Sequence, residues 1–173
     1  MNKIFTKDKM LPFILAAVVI IIDQVTKALV VHYILPYTVG ASFFGDFIRL
    51  IHVSNTGVAF SVGESLPTLA RRLMFAVVPL AIIVLVLVVY FRNDTFNKLQ
   101  RWCICGICGG GIGNLIDRFV RAEGVVDFID VKFYGIFGLK RWPTFNCADS
   151  AVVICGIILI ISFIISIAKD KDK

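Results

Sequence analysis

Four apolar runs, separated by polar connections, set the plan of this chain. Leu11–Ile22 is unbroken over 12 residues, and a helical pattern continues through Asp23, Gln24, Thr26 and Lys27 to Val31. Leu73–Phe91 holds 19 residues without a charge; Pro79 inside it predicts a kink or an early turn. Trp102–Ile116 is shorter and rich in glycine, and Ala151–Ala168 gives 18 more uncharged residues. Runs of this length predict membrane-crossing helices over about residues 11–31, 70–91, 100–117 and 148–168. The expected fold is an all-α membrane protein, a four-helix bundle in a single domain spanning residues 1–173.

The connections over 32–69 and 118–147 read differently. Phe47–Val53, Val58–Val62 and Val125–Tyr134 are β-prone. Asn55-Thr56-Gly57 is a turn signal, and Gly135–Gly138 marks another turn. A small hairpin or cradle outside the membrane is expected. The overlapping pairs Gly106/Gly110 and Gly109/Gly113 are spaced to let two helices approach closely.

Composition supports the membrane reading, with 58% hydrophobic residues and a mean hydropathy of +0.88. The net charge of +6 forms no basic face, and nothing resembles a nucleic-acid module. A basic start before an apolar run also describes a cleavable signal peptide. The lack of a small-residue cleavage site, and the helical pattern running on to Val31, argue against removal. The five cysteines do not form a secreted disulfide framework. Cys105 and Cys108 do make a CxxC, which keeps a membrane thiol-disulfide oxidoreductase open as an alternative function.

Charge distribution predicts orientation. Lys3, Lys7, Lys9, Arg92, Lys98, Arg101, Lys169, Lys171 and Lys173 crowd the two ends and the middle loop, whereas the other two connections are sparse in Lys and Arg. The positive-inside rule then puts both termini in the cytoplasm. With that topology Asp23 and Lys27, Asn114, Asp117 and Arg118, and Asn146 and Asp149 reach one depth, the outer leaflet, from three helices. Ionisable groups at such depth point to function.

Asp127 and Asp149 are the sharpest candidates. Two carboxyls held close together share a proton, and such a pair can activate water against an amide and protonate the leaving nitrogen. Isolated acids near helix ends also serve as caps. Asn146 lies three residues before Asp149, on its face or as an N-cap. Asn114 and Arg118 share a face, with Arg118 expected beside Asp117 or a lipid phosphate. Asp23 and Lys27, four residues apart, are expected to pair, chiefly as structure. His32 and His52 form no metal-ligand motif, and no nucleophile elbow or phosphate loop is present.

These residues fall in blocks: DQVTK (Asp23–Lys27), SNTGVAFS (Ser54–Ser61), GNLIDR (Gly113–Arg118), VVDF (Val125–Phe128) and FNCADS (Phe145–Ser150). Together and in this order they resemble the lipoprotein signal peptidases, or signal peptidase II, over roughly Leu11 to Ala168. Val58 and Cys147 depart from the family's usual residues but conserve volume. The resemblance implies an intramembrane aspartyl endopeptidase of the bacterial inner membrane, with four transmembrane helices, an extracytoplasmic β-cradle and a short helix able to cover the site. It implies cleavage of prolipoproteins before a diacylglyceryl-modified cysteine, inhibition by globomycin-type cyclic peptides, and neither metal nor organic cofactor. A monomer in contact with membrane lipids is expected. The implied catalytic pair is Asp127 and Asp149, with Asp23, Lys27, Asn55, Asn114, Arg118 and Asn146 supporting it or holding substrate.

Overall fold

Pro12, whose ring presets a helical φ, sits at the start of the first long helix. A single turn, α1 (Lys7–Met10), leads into α2 (Phe13–Tyr33). A hairpin follows, β1 (Val39–Phe43) and β2 (Ile48–Asn55). Then come α3 (Thr68–Arg92), α4 (Lys98–Val120), β3 (Val125–Val131) and α5 (Cys147–Lys171). This computed structural model describes residues 5–56 and 68–171. Among them, four helices are long and apolar enough to cross a membrane. The expected strand Val58–Val62 and the Gly57 end of the expected turn lie outside the described residues.

Glycine decides which helix is central. A Cβ on Gly109 would lie 2.8 Å from the Ala16 backbone of α2, and one on Gly110 would meet the Ala148 carbonyl of α5. Without those side chains α4 nests between α2 and α5, the close approach expected of small residues. It is the most buried of the four spans. α3 continues through Pro79 as one helix, so the proline marks no early turn. Leaving one helical hydrogen bond unmade is tolerable where neighbours pack around it.

The three strands form one antiparallel sheet in the order β1-β2-β3. Val53 pairs with Asp127 and Asn55 with Val125, with a register shift between Leu50 and Val53. Asn55 is therefore the last residue of a strand, where its sequence suggested the start of a turn. Gly124 turns the chain into β3 at φ +96°, and a Cβ there would collide with the Asn55 carbonyl. Val126 and Phe128 pack with Val30 of α2, seating the sheet on the bundle. After β3, Ile136–Gly138 forms one 3-10 turn between left-handed Gly135 and Gly138.

Candidate active site

A fully buried ion network underlies the site. Lys27 Nζ lies 2.8 Å from Asp23 and 2.9 Å from Asp117, with all three side chains shut off from solvent. An unpaired charge here would be prohibitive, so each group needs the others. Lys27 also donates to Asn114 Oδ1 at 2.8 Å. Asp23 reaches across to accept the Ala148 backbone N–H at 2.9 Å, a carboxylate placed at the N-terminus of α5. Asp117 accepts the Val126 N–H at 3.2 Å and pairs with Arg121 at 3.0 Å. Gln24 bridges Asp23 and Asp117 from the side. One lysine and two acids thereby tie α2, α4, α5 and β3 together.

The next layer carries the dyad candidates. Asn114 donates Nδ2–H to Asp149 Oδ1 at 2.7 Å. Asn146 donates Nδ2–H to Asp127 Oδ1 at 2.7 Å, and its backbone N–H to Asp149 Oδ2 at 3.2 Å. The Asp149 N–H donates back to Asn146 Oδ1 at 2.9 Å. Asn146 is therefore the helix cap its position suggested, in a reciprocal box with Asp149, and it also bridges to Asp127, which its position did not suggest. Asn55 donates to Asp127 Oδ2 at 3.0 Å from the diagonal position on β2.

Asp127 is 3% exposed, and that burial pushes its carboxyl from the ordinary 3.8 up to about 6. The Asp149 charge pushes the same way, while the N–H donors of Asn55 and Asn146 and the Lys27 charge oppose it. The group therefore titrates close to neutral pH, where it can both give and take a proton.

Arg118 feels the Asp117 charge but makes no ion pair with it among the described residues. Lys27 and Arg121 take the Asp117 carboxylate, and Arg118 lies over the Phe75 ring at 5.6 Å. It still feels the charges of Asp127 and Asp149. Asp23 and Lys27 pair as expected, but in a larger group than a simple i, i+4 pair. Asp117, expected only as one of the ionisable groups at the outer leaflet, and Gln24, outside the expected site residues, both join the network. Asn114 and Asp117, three residues apart on one helix face, carried the signal for Asp117.

A family model described as signal peptidase (SPase) II matches residues 15–165. The chain belongs to the signal peptidase II family. A lipoprotein signal peptidase of Treponema pallidum is 52% identical over 158 residues, covering 91% of this chain and 85% of that protein. One from Borrelia turicatae is 52% identical over 151 residues, 87% of each. A bacterial membrane enzyme solved by the in meso method at 1.9 Å superposes with a TM-score of 0.77 at 27% identity, covering 94% of this chain and 97% of that one. As a signal peptidase II family member the chain is a multi-pass membrane protease. Its CxxC cysteines, Cys105 and Cys108, are free thiols buried in the α4 core with Ala16 and Tyr90. His52 donates Nδ1–H to the Ile34 carbonyl, 2.7 Å away, and ties β2 to the end of α2.

Proposed function

We propose that this chain is an intramembrane aspartyl endopeptidase that removes signal peptides from diacylglyceryl-modified prolipoproteins, with Asp127 and Asp149 as its catalytic pair. The observation that carries the reading is the Asn146 bridge, which links the two carboxyls from a single residue. Asn114 and Asn55 occupy their outer oxygens. In the proposed reaction one carboxylate takes a proton from a water molecule as its oxygen attacks the scissile carbonyl carbon. The other, protonated, carboxyl gives its proton to the carbonyl oxygen, so the intermediate is an uncharged gem-diol. Proton transfer to the amide nitrogen then breaks the C–N bond, yielding a carboxylic acid and an amine. No covalent enzyme intermediate forms, and the shared proton belongs to the pair as a unit.

Asn55, Asn114, Asn146 and the Asp23–Lys27 pair act as positioning residues, and Arg118 as a charge near the dyad. Both termini face the cytoplasm on this reading, because Lys and Arg crowd that side, and the site opens at the outer leaflet. There the acyl chains of a lipidated cysteine hold the peptide in the plane of the membrane, which removes part of the entropic cost of alignment. Cleavage falls before that cysteine, and globomycin-type peptides occupy the same site.

The test is a gel-shift cleavage assay on a lipidated precursor in mixed micelles. Asp127→Asn and Asp149→Asn should each abolish cleavage while membrane insertion is retained, and globomycin should block the wild-type protein. Wild-type turnover by either variant would remove the dyad assignment. An unlipidated precursor cleaved at the lipidated rate would remove the positioning role of the acyl chains.

A further inference from the structure

At the end of the bundle remote from the dyad, α1 and the start of α4 enclose a cleft of about 350 Å³. Its lining includes Lys9, Lys98 and Arg101 against Asp8 and Asp94, leaving one surplus positive charge. Lys9 is 3% exposed and pairs with Asp94 at 2.6 Å, while also capping the α3 terminus through the Phe91 carbonyl at 2.8 Å. Asp94 is thereby neutralised, and Asp8 lies at the exposed mouth. Lys98 and Arg101 then face only Asp8 and the already paired Asp94, so the cleft keeps its one surplus positive charge.

Arg101 is the unusual member. It is 6% exposed, stacks over the Tyr90 ring at 5.5 Å, and donates one Nη2–H to the Asn93 carbonyl at 3.2 Å. Its Nη1 is the one buried side-chain nitrogen or oxygen among the described residues with no hydrogen-bond partner. A buried guanidinium donor left unmade costs free energy, and an oxyanion is the acceptor its fork geometry fits. The first turn of α4, with its positive dipole end, faces the same space. The cleft opens where the apolar spans of α2 and α4 begin, which on the proposed topology is the cytoplasmic headgroup level. Basic pockets between spans at that level suit anionic headgroups.

We infer that this cleft is a binding site for the phosphate of an anionic phospholipid, held by Arg101 and Lys98. The bond set is a guanidinium N–H pair and an ammonium on phosphate oxygens, with the acyl chains lying against the apolar spans. The site is separate from the dyad.

Thermal unfolding of the full chain in a non-ionic detergent tests it. Dioleoylphosphatidylglycerol at about ten times its Kd should raise the midpoint by about 4 °C by ligand linkage. Dioleoylphosphatidylcholine and inorganic phosphate should leave it near the lipid-free value. Arg101→Gln and the exposed Lys98→Gln should each reduce the phosphatidylglycerol shift, and Lys98→Gln removes no buried contact needed for folding. An unchanged shift in the Lys98→Gln protein, or no shift in the wild type, overturns the site. Equal stabilisation by inorganic phosphate or by phosphatidylcholine overturns the assignment to an anionic lipid.

Discussion

Asn114 donates its side-chain N–H to Oδ1 of Asp149 over 2.7 Å. The oxygen of the same amide faces the Lys27 ammonium at 2.8 Å, which fixes which way round the amide sits. A buried cation thus orients a neutral group, and the neutral group orients a carboxyl.

From that chain of contacts, Asn114→Ala should cost the reaction about 2–3 kcal/mol, or roughly a hundredfold in kcat/KM. It removes the donor to Asp149 Oδ1 and one of the three acceptors around Lys27, leaving Asp149 only the Asn146 backbone N–H to orient it. Initial rates on a lipidated precursor check this, and circular dichroism should show an intact helical fold. A loss confined to KM would mean that Asn114 holds substrate instead of Asp149.

Lys27→Met should act on folding before it acts on chemistry. It strips buried Asp23 of its only cation and leaves buried Asp117 with Arg121 alone, and breaking such a group costs about 3–5 kcal/mol. The unfolding midpoint in micelles should fall by about 10 °C. A variant as stable as wild type would mean that water reaches these carboxyls.

Gly113→Ala and Gly156→Ala should separate packing from helix propensity. A Cβ on Gly113 would lie 2.8 Å from Asp23 Oδ2 and 3.3 Å from Ala148 Cβ, so the ion network must shift. Nothing lies within 4 Å of a Cβ on Gly156. Gly113→Ala should lose both stability and cleavage, while Gly156→Ala should be neutral or gain up to about 1 kcal/mol. Equal effects at the two positions would count against α4 being seated on its glycine face.

The pH profile of kcat/KM should show an inflection near 6 from Asp127, whose carboxyl burial raises to about 6. Removing the Asn55 donor with Asn55→Leu withdraws a bond that favours the charged form, so that inflection should move to higher pH. The sign for stability follows from the raised value. Between pH 4 and 6 the folded state binds more protons than the unfolded one, so this group's contribution declines as pH rises and is flat above. Asp127→Asn should therefore be more stable than wild type at pH 7.5 and about equal at pH 4, as measured by unfolding midpoints. A wild-type inflection unmoved by Asn55→Leu would assign it to another group.

The sequence alone determined the four spans, because length and apolarity suffice to place a helix in lipid. The strands Phe47–Val53 and Val125–Tyr134, predicted by their β-branched and aromatic residues, appear as Ile48–Asn55 and Val125–Val131. The motif blocks carried the family, and the short spacing of Asp23 and Lys27, and of Asn146 and Asp149, put those partners on shared helix faces. Tertiary structure decided everything that joins distant segments. Lys27 and Asp117 lie 90 positions apart in sequence, and periodicity says which way a side chain faces but not which helix stands opposite. Only the glycine-lined seat of α4 between α2 and α5 brings them together. Register did the same for Asn55, whose strand pairing with Val125 aims its amide at Asp127.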